Sequence, residues 1–253
     1  MDQKTSIKEQ TITPSLSKGL QKRIRREGND LLENKLGLTG LDVPECRSRK
    51  KWIKNSITNV KNIFGSYAFM PSFQDSVKAD KAYLFLLLPD DEKSWGLRHY
   101  SINGKKFTHQ DHTILSVSNH CIERCFERAF TINDIDNLND CISKMVYMIA
   151  EVWAQSRLLI DNDVNRLYED INVPTSKGLF CLTNNDKTYT HEWVIKTFIG
   201  NNHLSNKKNS EKKKLAMIAN LEWQKISATL NQPKRQNDVN PLTKAIQESN
   251  LPK

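Results

Sequence analysis

The chain of 253 residues has no long hydrophobic run: its best apolar stretch, Ala82-Tyr-Leu-Phe-Leu-Leu-Leu88, falls well short of the ~18 residues a membrane helix needs. Met1 to Gln10 is polar, with no apolar segment leading to small residues, so no secretory signal and a cytoplasmic, membrane-free protein are expected. Glycine and proline are sparse, at 9 and 8 residues, which excludes a collagen-like chain. The five cysteines, at 46, 121, 125, 141 and 181, form no Cys-x-x-Cys and have no second Cys/His pair at zinc spacing. An odd count without a signal reads as reduced thiols, so a disulfide scaffold is excluded and no metal or cofactor is expected. No glycine-rich phosphate loop, serine nucleophile elbow or internal repeat is present, which leaves nucleotide-hydrolysing motors and serine hydrolases without support.

Hydrophobic residues at 38% and charged residues at 26% suffice for a folded core. The net charge of +9 is unevenly spread: residues 1–62 carry +7, residues 63–204 carry −4 and residues 205–253 carry +6. A mildly acidic middle is thus flanked by two basic arms. Arg23, Arg25 and Arg26, then Arg49, Lys50 and Lys51, and later Lys212 and Lys213 are candidates for neutralising nucleic-acid phosphates. The plainer alternative is that they are the solvated faces of lysine-rich helices.

The pattern is α+β: a small, mostly antiparallel sheet packed against helices, with a basic helical N-terminal extension and a C-terminal helix. Residues 1–17 read as a flexible leader, 18–80 as the basic helical region, 81–232 as the α+β domain and 233–253 as a flexible tail. Apolar spacing predicts one helix that starts after Ser15 or Ser17 and runs to about Lys35, through Leu16, Leu20, Ile24, Leu31 and Leu32. It predicts another near Ser48 to Phe64, through Trp52, Ile53, Ile57, Val60 and Phe64. Strands are expected at Tyr83–Leu88, Leu97–Ile102 (before the turn signal Asn103-Gly104) and Thr113–Val117, then at 178–183 and 189–199 around the turn at 184–187. Helices are expected over 118–130, 135–159 and 210–230, the last with Leu215, Ile218, Leu221 and Ile226 on its apolar side.

The segment Ser118-Asn-His-Cys-Ile-Glu-Arg-Cys-Phe-Glu-Arg128 is the candidate to carry chemistry. At about 100° per residue, with His120 at zero, Arg124 falls near 40° and Arg128 near 80°, while Glu127 and Glu123 lie just to the other side. Cys121, Ile122, Cys125, Phe126 and Ala129 make the opposite, apolar half. Ser118 suits the N-cap. Metal-free cleavage of an RNA phosphodiester needs a group that moves protons, for which imidazole serves near neutral pH, and a cation for the developing phosphorane charge, for which guanidinium serves. The ribose hydroxyl supplies the nucleophile. The competing reading is a surface helix whose Glu123–Arg124 and Glu127–Arg128 neighbours only balance charge.

Ser118-x-His120-x-x-x-Arg124-x-x-x-Arg128, followed by Thr131-Ile-Asn-Asp-Ile135, resembles the Ser-x-His-Ala-x-x-Arg-Met-x-x-Arg-x-Ile-x-x-x-Asp-Ile pattern of RelE/barnase/EndoU-like ribonuclease toxin domains. Gly178 to Leu182 and Trp193 to Ile199 are similar to the closing strands of that group, which often end in Val-x-Thr, and the likeness covers about residues 83–200. Cys121 stands where alanine is usual and Cys125 where methionine is usual. The resemblance implies a helix on a sheet whose open face binds RNA (tRNA, mRNA, or rRNA in the ribosome). It also implies a toxin or phage-defence role, with a neutralising antitoxin or immunity partner. By position, His120 would be the acid/base, Arg124 and Arg128 would grip the phosphate, and Thr197 would hydrogen-bond it. Lys196 and Thr197 alternate across the pleat, so only one can face that site.

Other residues offer secondary candidates. Arg98 is a possible phosphate ligand beside His99, and His109 and His112, read as lying in a polar loop, are possible second proton carriers. Trp95, Trp193 and Trp223 are base-stacking platforms or, more simply, core. The leading expectation is a metal-independent endoribonuclease. Its rivals are a non-catalytic nucleic-acid-binding regulator and an interaction protein working through its helical N-terminus.

Overall fold

The computed structural model describes residues 10–35, 48–69, 81–103, 106–163, 170–184 and 193–230. The first elements among the described residues are two helices, α1 (Pro14–Lys35) and α2 (Arg49–Phe64), followed by β1 (Ala68–Phe69), β2 (Lys81–Pro89), β3 (Ser94–Asn103) and β4 (Lys106–Ser118). Helix α3 (Asn119–Ala129) follows β4 directly, then α4 (Leu138–Asn162), β5 (Ile171–Thr175), β6 (Gly178–Asn184), β7 (Trp193–Gly200) and α5 (Asn206–Leu230). The α+β architecture is as expected: one seven-stranded sheet in the order β1-β2-β3-β4-β7-β6-β5, antiparallel except for β4 beside β7. Among the described residues no helix is long and apolar enough to cross a membrane.

Local chemistry explains both the agreements and the differences. The run Leu84–Leu88 is buried throughout because β2 lies inside the sheet. Strand β5 escaped the sequence reading because Ile171-Asn-Val-Pro-Thr175 is interrupted by proline; it survives as an edge strand, where a missing N–H costs no ladder bond. His109 and His112 lie within β4 rather than in a loop, since β4 carries extra residues opposite Leu97–Tyr100 and so continues through that polar stretch. Leu221 is 53% exposed: α5 buries Leu215, Ala219 and Glu222, and this face turns Leu221 and Met217 outward. The expected turn at 184–187 lies largely outside the described residues, as do the start of the leader and the whole of the tail.

One core runs through the boundary expected at residue 80. Leu20 and Ile24 of α1, with Val60, Phe64 and Tyr67, join Phe85, Trp95, Phe126 and the apolar face of α4 in a single cluster. The Tyr67 hydroxyl donates to the Ile24 carbonyl at 2.7 Å, and burial, reinforced by Glu27, raises its pKa and keeps it protonated. Ile12 is buried and Thr11 bridges Thr131, so part of the expected leader is docked.

Where β4 ends, α3 takes its place alongside β7. Ser118 Oγ donates to the Lys196 carbonyl at 2.7 Å, and Arg128 Nη1 donates to the Phe198 carbonyl at 2.8 Å. The two ends of α3 therefore satisfy carbonyls on the β7 edge that β4 leaves. At the far end Gly200 admits the helix: an added Cβ would sit 2.8 Å from the Arg128 carbonyl oxygen and 2.9 Å from its Cβ. Gly200→Ala is expected to lower stability by about 1–3 kcal/mol in a denaturant titration, and an unchanged midpoint would contradict this packing.

Candidate functional site

Helix α3 positions the motif. Ser118, extended at φ −67° and ψ 150°, caps it by accepting from the Cys121 amide at 3.0 Å. Cys121, Ile122, Cys125 and Phe126 are fully buried, as the angular reading requires, and burial pushes the Cys121 thiol pKa well up, which leaves an inert packing group. His120 is exposed on the other side. Arg124 Nε donates to His120 Nε2 across 3.4 Å, and Arg124 Nη1 pairs with Glu127 Oε2. Glu127 also accepts from the hydroxyl of buried Ser17 on α1 at 3.0 Å, so α1 helps hold the arginine. Among the described residues Arg124 Nη2 has no partner, and the side chain stays 31% exposed.

The four residues assigned chemistry from sequence are not equivalent. His120 and Arg124 touch. Arg128 is committed to the Phe198 carbonyl, and burial, with Arg124 nearby, lowers its pKa. Thr197 is half-buried on β7, opposite Cys181. Between it and Ile195 the register slips, so Lys196 is the extra residue of a bulge. The Lys196 carbonyl is bound to Ser118, which brings the Lys196–Thr197 segment to the N-terminal end of α3, near His120. The exposed Lys196 ammonium lies 3.8 Å from Asp170.

The basic arms divide similarly. Arg25 Nη1 donates to Asn119 Oδ1 at 2.6 Å and Nη2 to the Ser94 carbonyl at 3.0 Å, with its guanidinium 5.6 Å over the Trp95 ring. Burial lowers its pKa against the pull of Asp91 and Glu92. Asn119 Oδ1 also accepts from Gln21 at 2.8 Å and from the Trp95 indole at 3.0 Å, which makes it the hub joining α1 to the sheet. Arg23 pairs with Glu27 at 3.0 Å, and Arg98 pairs with Asp90 at 2.8 Å. Arg26, Lys51 and Lys213 are exposed, and Arg49 and Lys50 stand in the first turn of α2. Trp95 and Trp193 are core residues, not stacking platforms. Among the described residues no group of three His, Cys, Asp or Glu side chains is placed to hold a metal ion.

A second concavity went unread in the sequence. Between α4, the β5–β6 turn and α5 lies a cleft of about 330 Å³, lined by Glu151, Gln155, Thr175, Ser176, Lys212 and Asn220 among others. Its signal was a lone glutamate inside the apolar stretch Met145 to Ala154. Glu151 is 8% exposed, and neither its Oε2 nor Gln155 Oε1 has a hydrogen-bond partner among the described residues. Lys212 donates to Asn201 Oδ1 at 2.6 Å rather than to Glu151, and burial lowers its pKa.

Burial pushes the Glu151 carboxyl up to about 7, against the opposing pull of Lys212; Tyr147, one turn earlier on α4, is the other titratable group facing it. The unfolded chain loses this proton near 4.5 while the native state keeps it to about 7, so native stability falls as pH rises through that window. At about 1.4 kcal/mol per pH unit, the wild type should lose at most about 3 kcal/mol relative to Glu151→Gln between those limits. Denaturation of both proteins across the range checks this, and parallel profiles would refute it.

Compared with known proteins, the chain matches no protein-family model, no curated protein and no solved structure.

Proposed function

We propose that this chain is a metal-independent RNA endonuclease whose reacting groups are His120 and Arg124, with the Lys196–Thr197 segment beside the phosphate. The observation that carries the reading is the exposed imidazole 3.4 Å from a guanidinium, at the end of α3 tied to the Lys196 bulge. On substrate binding His120 Nε2 gives up its long contact with Arg124 and takes the proton of the ribose 2′-hydroxyl. That oxygen bonds to phosphorus, the bond to the 5′-oxygen breaks, and the departing oxygen takes a proton from water, leaving a 2′,3′-cyclic phosphate. The free nitrogen of Arg124 meets the phosphorane charge. Arg128 belongs to positioning, because it anchors α3 on β7. A toxin or phage-defence effector acting on cytoplasmic RNA, held in check by a neutralising partner, is the setting that the motif resemblance supports.

One observation favours a second reading. Arg124 is already paired with Glu127, and Arg128 is spent on a backbone carbonyl, whereas Lys207, Lys213 and Lys214 of α5 are exposed. A regulator that only binds nucleic acid would use such lysines and leave α3 as a buttress. Incubating the purified full chain with RNA in chelator separates the two. Cyclic-phosphate termini are expected from the endonuclease; binding that weakens steeply with salt, without new termini, would replace it with the regulator. Neither cleavage nor binding would dispose of both.

A further inference from the structure

The cleft between α4, α5 and the β5–β6 turn lies apart from the α3 ridge and carries its own chemistry, whether or not the ribonuclease reading holds. Glu151 and Gln155 are one helical turn apart, so both side chains reach the same wall. Each presents a buried oxygen without a hydrogen-bond partner among the described residues. Neither oxygen bonds the other in this arrangement, and a buried oxygen without a partner is costly. The missing complement is a group with several N–H donors; a primary ammonium carries three. Across the cleft stands the opposite charge, Lys212, anchored through one donor to Asn201 Oδ1 and with the rest of its ammonium available.

Size and lining narrow the class further. A volume of about 330 Å³ lies at the small end of metabolite sites. Among the described residues no aromatic side chain lines it, so a nucleobase would find no surface there on which to stack. Exposed Ser176 and Asn220 stand at the rim, where a variable side chain would emerge. We propose that this cleft binds a free amino acid or a close zwitterionic analogue, its ammonium held by Glu151 and Gln155 and its carboxylate by Lys212.

Calorimetric titration of the full chain with each proteinogenic L-amino acid in turn, alongside methylamine and acetate, tests this. At least one amino acid should bind one-to-one, with methylamine and acetate weaker by about tenfold or more, because each satisfies only one wall. Glu151→Gln and Lys212→Met should each weaken that binding by about tenfold or more. Ala216→Trp, at an exposed position on the cleft wall, should abolish it with the fold intact, and it decides the matter if either polar variant fails to fold. The proposal is overturned if no amino acid binds saturably at roughly 10 mM, if methylamine binds as tightly as the zwitterion, or if Ala216→Trp leaves binding unchanged. RNA cleavage is scored separately with His120→Ala, so failure of either proposal is told apart from failure of the other.

Discussion

His120→Ala is expected to lower RNA cleavage about 10²–10⁴-fold, the usual contribution of a positioned acid or base, while leaving the unfolding midpoint unchanged. The side chain is exposed, and its one hydrogen bond among the described residues, the 3.4 Å contact from Arg124, is long enough that its loss costs little. That separation of activity from stability makes this variant the informative one. Arg128→Ala would also abolish activity, but through the Phe198 carbonyl left unpaired and α3 loosened from β7, so it would report on the fold. Arg124→Lys lies between them. It keeps the charge but loses the fork that spans His120 and Glu127, and a large loss of cleavage with a small loss of stability is expected. Cleavage by purified His120→Ala at the wild-type rate would remove the imidazole from the mechanism, and the endonuclease proposal with it.

The largest effect on stability is expected at Asn119. Its Oδ1 collects donors from Gln21, Arg25 and Trp95, while its Nδ2 donates to the Glu92 carbonyl at 3.0 Å. Asn119→Ala would strand the fully buried Trp95 indole and the amide of Gln21, which is 4% exposed; Arg25 is less enclosed and would recover some hydration. At about 1–3 kcal/mol per stranded buried donor, a loss of about 2–4 kcal/mol is expected, or roughly 5–15 °C in Tm. Asn119→Asp retains the shared acceptor and should lose less. If Asn119→Ala unfolds within about 0.5 kcal/mol of wild type, the hub does not hold α1 to the sheet.

Helix α3 and the basic run on α1 show how far the sequence could be read. That Ser118 caps a helix, that Cys121, Ile122, Cys125 and Phe126 form its buried half, and that His120 and Arg124 share the wet half all follow from helical periodicity. Periodicity could not show that Arg128, on that same half, would bend to a neighbouring strand's carbonyl. Nor could it show that Arg25, in the basic run Lys22 to Arg26, would turn inward onto Asn119 and Trp95.

By itself the sequence determined the broad class: enough apolar residues for a core, helices at the spacings observed, hydrophobic strands between turn signals, and cysteines that pack. Those features depend on local propensity and on the 3.6- and 2-residue periods, which neighbours along the chain specify. Tertiary structure alone decided the parallel seating of β4 on β7, the edge strand β5 with its proline, the bulge at Lys196 and the cleft around Glu151. Each depends on which distant segment supplies a carbonyl, a wall or a counter-charge. A charged residue's partner, unlike its helical face, is chosen by contacts between segments remote in the chain.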